Sequence, residues 1–274
     1  MITRFAPSPT GPLHLGHAYS AMLAHDMAMA AGGVFLLRHE DTDLERSKDH
    51  WVEQVEDDLR WLGLSWPEPA RRQSRHLKDY TSAVDALAAM GLLYPCSCSR
   101  SDIRAALSAP QEGALPGPYP GTCRGRAMTD RQAGDALRLD LGKALAATGP
   151  VTFDETGPAH QGTHTINPDH LAQVSGDVVI ARRDGAVAYF LASALDDVRE
   201  GITDVIRGED LFDFTPVQVL ILAALGHAAP RYHHHRLIRD DAGKRLAKRD
   251  DARSIQTYRD EGRTPADIRA MVGL

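Results

Sequence analysis

Two histidines, His14 and His17, stand three residues apart in the run Arg4-Phe-Ala-Pro-Ser-Pro-Thr-Gly-Pro-Leu-His-Leu-Gly-His17. On the first turn of a helix that spacing turns both imidazoles to one side. The free N–H groups of such a turn and its positive dipole end attract phosphate, and Gly16 lets a ligand lie against the backbone between the rings. Imidazole donors there suit a phosphate whose charge grows during displacement. A second run, Arg38-His-Glu-Asp-Thr-Asp43, follows an apolar stretch that reads as a strand. Carboxylates at the end of a parallel strand face the crevice where doubly wound sheets bind ligands. Glu40 there suits an ammonium group, or with Asp41 and Asp43 a magnesium ion; a solvated acidic turn fits Asp43 well and Glu40 poorly.

Two further groups carry weaker signals. Gly243-Lys-Arg-Leu-Ala-Lys-Arg249 is a glycine turn followed by four cations, suited to neutralising a triphosphate as pyrophosphate leaves. It lacks the glycines and Ser/Thr of a Walker loop. Cys96, Cys98 and Cys123 are three thiols, most of a tetrahedral zinc shell that a Pro/Gly-rich loop can fold back to close, with one ligand missing. Three unrelated buried cysteines is the alternative. An odd count with no export signal argues against a disulfide framework.

These groups need a scaffold. Residues 2–6 read as a short buried strand, broken by Pro7 to Pro12, and the apolar spacing of Leu15, Tyr19, Met22 and Leu23 predicts a helix from Leu13 to about Ala31, ended by Gly32-Gly33. Val34 to Arg38 is a continuous apolar run suited to a parallel strand buried on both faces. Strand, helix and strand within that span make a βαβ unit, hence a doubly wound parallel α/β sheet. Helices follow around Trp51, Val55, Leu59 and Leu62, and around Leu77, Tyr80, Val84 and Leu87. The pattern predicts a first half of the α/β domain over 1–95, an inserted subdomain over 96–176 and a second half over 177–238. That second half holds a strand at Asp177–Ala181, a turn at Asp184-Gly185, a strand at Val187–Phe190, a strand at Thr203–Arg207 and a helix at Pro216–Leu225. Residues 239–274 carry the cationic loop and short terminal helices, the last capped by Thr264-Pro265. His233-His-His235 alternates faces on a strand and reads as structural or RNA-facing.

The chain has 274 residues, 43% of them hydrophobic and 25% charged, which excludes wholesale disorder. The longest apolar run, Val219–Leu225, falls far short of a membrane span. With no visible secretory signal, a cytoplasmic location is expected. Net charge is −6, yet residues 231–274 hold 11 Lys/Arg against 7 Asp/Glu, a local +4 on a body of −10. A basic end on an acidic body can meet a polyanion at one face.

The Phe-Ala-Pro-Ser-Pro-Thr-Gly opening, the His-Leu-Gly-His motif, the Arg-His-Glu-Asp-Thr-Asp run, Arg207-Gly-Glu-Asp210 and the degenerate KMSKS-like loop resemble the class I glutamyl-tRNA synthetase catalytic domain, in the right order over nearly the whole chain. The resemblance implies a class I Rossmann-like fold and formation of glutamyl-adenylate from L-glutamate and ATP, with Mg2+ accompanying the ATP. No anticodon-binding domain is expected after Leu274. The short form with a Cys-x-Cys…Tyr-x-x-x-Cys element is similar to the glutamyl-Q tRNA(Asp) synthetases, which attach glutamate to queuosine in the anticodon of tRNA(Asp); Tyr119 is then the implied fourth zinc ligand.

By the same resemblance Arg4 and Arg207 take the two carboxylates, Glu40 the ammonium, and Ser8 and Tyr189 orient the amino acid beside Ala6. His14, Gly16, His17, Arg245 and Lys248 hold ATP, with His14, His17 and Lys248 catalytic. Ser193 stands where the larger enzymes often have asparagine; Arg245 replaces a lysine and Ala247 a serine in the KMSKS-like run. A monomer without membrane contact is expected. The rival readings are a catalytic fragment or split form of glutamyl-tRNA synthetase and a non-catalytic nucleotide- or RNA-binding regulator.

Overall fold

The computed structural model describes residues 1–99, 101–103, 118–239 and 253–274. The loop at 243–249, with Arg245 and Lys248, lies outside the described residues.

Strand β1 (Ile2–Phe5) pairs in parallel with β2 (Val34–His39) from Ile2↔Val34 to Phe5↔Leu37. The intervening helix α1 (Leu15–Ala30) completes the βαβ unit. Its N-terminus is capped by histidines: the Gly16 N–H donates to Nδ1 of His14 at 3.1 Å, and the His14 N–H donates to Nδ1 of His17 at 3.2 Å. Gly33 lets the chain turn back to β2, because a Cβ there would meet the Met1 carbonyl at 1.9 Å. Beyond β2, a two-residue β3 (Arg71–Arg72) extends the parallel sheet after helix α2 (Asp49–Trp61).

A second parallel pair is β9 (Asp204–Gly208) with β10 (Arg231–His235). On its other side β10 meets β6 (Thr152–Glu155), which forms an antiparallel hairpin with β7 (Gly162–Thr165). A third sheet is antiparallel, with β5 (Ala136–Leu139) between β4 (Leu93–Cys96) and β8 (Val179–Ala181).

The expected parallel pairing holds in β1–β2–β3 and in β9–β10, while β6 and β7 make the second sheet mixed and the third sheet is antiparallel throughout. Between β1 and β9 the described residues form no ladder; Thr203 N donates to Ile2 O at 2.9 Å at one end of the seam. Further along, Nη1 of Arg4 donates to Ile206 O at 3.3 Å, so a guanidinium bridges the two strands. A seam where neighbouring strands diverge is the place for a ligand in such folds.

The expected strand at Val187–Phe190 is also corrected. One isolated bridge, Ala181↔Val187, closes the turn, and helix α6 (Tyr189–Arg199) begins two residues on. Leu191, Ala192 and Leu195 then bury at helical spacing, which outweighs the local alternation. Strand β5 ends at Leu139, because Asp140 caps helix α4 (Leu141–Thr148) by accepting from Lys143 N at 3.1 Å.

Helix α3 (Leu77–Ala89), short α5 (Pro168–Val174) and α7 (Thr215–Ala224) complete the central part. One apolar cluster runs from Tyr80 through α4 and α7 to Tyr232. Another joins α1, β1 and β2 to the terminal helices α8 (Ile255–Asp260) and α9 (Pro265–Val272) through Ile255, Tyr258, Ile268 and Val272. Among the described residues no helix is long and apolar enough to cross a membrane.

Asp58 on α2 is fully buried, and among the described residues neither carboxylate oxygen has a hydrogen-bond partner. Burial, helped by Asp57 and opposed by Arg259, pushes its pKa up to about 7. Below the ordinary value of 3.8 both folded and unfolded chains hold this proton and no penalty arises. Above it the unfolded chain gives up the proton first, so the folded state loses stability until about pH 7. Asp58→Asn is expected to raise stability at pH 8 by up to roughly 4 kcal/mol and by far less at pH 4. Urea melts at both pH values check this; an equal gain at both would assign the effect to packing instead.

Candidate active site

The ends of β1, β2 and β9 and the start of α6 enclose a cavity of about 360 Å³. Arg4, Ala6, Ser8, His17, Glu40, Tyr189 and Arg207 all line it. His14 does not, but its ring lies against that of His17, with centroids 3.8 Å apart. Gly16 sits in the same turn, its N–H held by His14. Beside that turn Ser254 bridges His14, and Ile255 N donates to Leu13 O at 2.8 Å. The chain thus returns to the α1 N-terminus directly after the undescribed cationic segment.

Arg4 is buried, with Nε and Nη2 on the two oxygens of Asp197 at 2.9 and 3.4 Å. The same Asp197 accepts from Arg38 at 2.8 Å, and Arg38 also reaches Glu200 at 2.8 Å, Glu40 at 3.3 Å and Ser193 Oγ at 3.4 Å. Burial opposes charge on Asp197, yet the Arg4 and Arg38 guanidiniums hold its pKa below the usual carboxylate range. Glu40 differs: burial lifts its carboxyl above the ordinary value, against the pull of Arg38 and Arg4. A cation arriving beside Glu40 would favour its charged form.

Arg207 is buried among neutral groups. Nε donates to Nε2 of His234 at 3.0 Å and Nη2 to Thr215 Oγ1 at 2.8 Å, while Nη1 donates to Gln218 Oε1 at 2.5 Å. A guanidinium carries five N–H donors, so each terminal nitrogen of Arg207 keeps one hydrogen outside these bonds. Such an arrangement can orient a planar fork toward an anion in the cavity.

Sequence reasoning placed Asp41 and Asp43 with Glu40 as one magnesium option, and the structure separates them. Asp41 accepts from Ser74 N and Oγ, both at 2.7 Å, and from Arg72 at 2.9 Å. Asp43 caps a turn by accepting from Arg46. Sequence reasoning also missed Asp197, Glu155, Thr215 and Gln218. A detectable signal was the Asp196-Asp197 pair within the apolar spacing of Leu191, Ala192 and Leu195: two carboxylates on a buried helix face require cations. His234 was read as structural or RNA-facing; it is buried against Arg207.

At the third sheet, the sulfurs of Cys96, Cys98 and Cys123 lie within 4.8 Å of one another. Among the described residues this is the one group of three such side chains close enough to share a metal. Tyr119 Oη lies 3.4 Å from Cys96 Sγ and 3.5 Å from Cys98 Sγ, while Cys98 and Cys123 are 3.5 Å apart. Sulfur ligands on 2.3 Å arms about a tetrahedral zinc stand about 3.8 Å from each other, close to these 3.4–3.5 Å spacings. Arg138 adds a cation, with Nε 3.3 Å from Cys96 Sγ and its guanidinium 3.7 Å above the Tyr119 ring. The Cys123 N–H donates to the Tyr119 oxygen at 2.8 Å, yet burial and the Cys96 and Cys98 thiols hold the phenol well above its ordinary value, so its loss of a proton needs a cation at the site.

Comparison with known proteins places these features in context. Residues 1–274 match the family model described as tRNA synthetases class I (E and Q), catalytic domain. The chain is 56% identical over 285 aligned residues, covering all of both chains, to the glutamyl-Q tRNA(Asp) synthetase of Rhodobacter capsulatus. It is 38% identical to glutamate–tRNA ligase 1 of Methylococcus capsulatus, matching 97% of this chain and 57% of that one. A crystal structure of a glutamate tRNA ligase from Elizabethkingia meningosepticum in complex with its amino acid superposes with a TM-score of 0.77 at 26% identity. That match covers 99% of this chain and 60% of the ligase chain. With its mixed α/β sheets, its crevice between β1 and β9 and a family match along its whole length, the chain belongs to the class I tRNA synthetases of the glutamate and glutamine type, as a catalytic domain.

Proposed function

We propose that this protein activates L-glutamate with ATP to glutamyl-adenylate and transfers the glutamate to queuosine in the anticodon of tRNA(Asp). The observation that carries the first half is one cavity lined by two buried guanidinium forks, Arg4 and Arg207, and one carboxylate, Glu40. Glutamate has the complementary set of two carboxylates and one ammonium. Glu40 receives the ammonium, the arginines receive the carboxylates, and Ser8 and Tyr189 orient the molecule beside Ala6. The amino acid's carboxylate is already ionised, so activation needs no general base. Its oxygen bonds to the α-phosphorus as the bond to the bridging oxygen breaks and pyrophosphate leaves. His14, His17, Arg245 and Lys248 stabilise the charge that develops on the departing phosphates, with Gly16 allowing close approach and Mg2+ accompanying the ATP. Zinc held by Cys96, Cys98, Tyr119 and Cys123 supplies a structural cross-link away from the reacting atoms. The protein acts as a cytoplasmic enzyme.

The acceptor rests on full-length similarity to the Rhodobacter capsulatus protein, whose name carries the glutamyl-Q activity. A cyclopentene hydroxyl of queuosine attacks the acyl carbon of the adenylate, and AMP leaves. Radiolabelled glutamate is expected on tRNA(Asp) that contains queuosine, to survive periodate treatment of the 3′ end, and to be absent from queuosine-free tRNA(Asp). Transfer should weaken with salt as phosphate contacts to the basic 231–274 end are screened. Label on the 3′ adenosine of tRNA(Glu) would replace this reading with that of a split glutamyl-tRNA synthetase.

A further inference from the structure

The Arg207 fork stands on a second layer that activation of glutamate does not itself require. Its Nε–H can only donate, so His234 Nε2, 3.0 Å away, must present a lone pair. The imidazole's single proton is then on Nδ1, 2.5 Å from Oε2 of Glu155. The other oxygen of Glu155 accepts from the backbone N–H groups of His234 at 2.9 Å and Gly157 at 2.6 Å. Gly157 is what permits this grip: a Cβ there would stand 2.3 Å from the His234 carbonyl and 2.7 Å from the Glu155 oxygen. Both side chains are buried. Against burial, His234 and the two backbone donors hold Glu155 ionised, with a pKa near 2. Burial keeps the imidazole neutral despite that carboxylate, its pKa lowered to about 4.

The two arginines of the cavity are therefore supported differently. Arg4 lies directly on Asp197, which neutralises it. Arg207 has a histidine, a threonine and a glutamine as its hydrogen-bond partners, and Glu155 is one imidazole ring removed. Fixing a histidine's tautomer through a carboxylate on its far nitrogen is a general way to orient what the near nitrogen holds.

We infer that Glu155 and His234 form a positioning dyad that locks the Arg207 fork while leaving its positive charge for the amino-acid carboxylate, an inference that rests on the glutamate-pocket reading above. The dyad touches no substrate; it sets Km for the amino acid through Arg207.

The test uses the full chain. In protein labelled with ¹⁵N-histidine at pH 7, the His234 signals are expected to show a protonated Nδ1 and an unprotonated Nε2, without any ligand. Glu155→Gln is expected to mix the tautomers and raise Km for glutamate in ATP–pyrophosphate exchange roughly ten- to hundredfold, the range for one hydrogen bond to a charged group. Km for ATP should stay within about twofold and kcat should change less than Km. His234→Leu should behave like Glu155→Gln. His234→Gln, whose amide offers one acceptor and one donor in place of the two ring nitrogens, should recover most of the loss. An Nε2-protonated His234, or variants that lower kcat with Km for glutamate unchanged, would overturn the dyad. If His234→Leu does not fold, the Gln variants and the tautomer decide. Should the wild-type protein exchange no glutamate, the pocket reading fails by itself, while the ¹⁵N signals still report whether the dyad exists.

Discussion

Arg207→Ala is expected to lower kcat/Km for glutamate in ATP–pyrophosphate exchange by two to three orders of magnitude, with Km for ATP nearly unchanged. Truncating one partner of a buried, hydrogen-bonded charge pair costs about 2–5 kcal/mol, which corresponds to roughly 30-fold to several thousandfold. The estimate applies here because Arg207 is buried and its hydrogen-bond partners are neutral, so none of them can stand in for its charge. Arg207→Lys keeps a cation but loses the planar fork that rests on His234, Thr215 and Gln218, and should recover only part of the loss. Steady-state exchange with glutamate, glutamine and aspartate checks both variants. The wild-type protein should strongly reject the latter two, and Arg207→Ala should narrow that preference. Unchanged glutamate kinetics in Arg207→Ala would remove this residue from the pocket.

The second large effect concerns the cysteine site. Protein purified without chelators is expected to hold close to one zinc per chain by elemental analysis. Replacing Cys96, Cys98 or Cys123 with serine should abolish it, and Tyr119→Phe should weaken it. Structural zinc contributes many kcal/mol to the fold it closes; with several of these lost from a chain of this size, the melting temperature should drop by roughly 10 °C. The thiols belong to the β4 side of the antiparallel sheet, whereas the cavity is built from β1, β2, β9 and α6. Pyrophosphate exchange should therefore fall much less than transfer to tRNA. Zinc-free wild-type protein of full stability would make the three cysteines ordinary buried thiols.

Much of the local structure was legible because it is set by neighbours in the chain. Helix α1, strands β1 and β2 and the capped last helix follow from apolar spacing, glycine stops and the Thr264 cap. The βαβ unit followed from their order. What local pattern misread was Val187–Phe190: the residues alternate as a strand does, but burial of Leu191, Ala192 and Leu195 begins a helix at Tyr189. The antiparallel sheet was not legible for a related reason, since the pairing of β4, β5 and β8 is set by partners about forty residues apart in the chain.

By itself the sequence determined which chemical groups this protein has to work with: the His-Leu-Gly-His turn, Glu40 at a strand end, the two arginines and the three thiols. Motif identity survives in a linear reading because it depends on residue type and short spacing. Only the tertiary structure decided how those groups are charged and held. Asp197, from a helix 193 residues after Arg4 and 159 after Arg38, binds both guanidiniums. Glu155 and His234, from strands 79 residues apart, set the hydrogen-bond direction at Arg207. Asp41, beside Glu40 in sequence, is turned away by Ser74 and Arg72. The physical reason is common to all three: a buried ionisable group takes its state from the donors and charges that packing brings to it, and those come from parts of the chain that no local pattern connects.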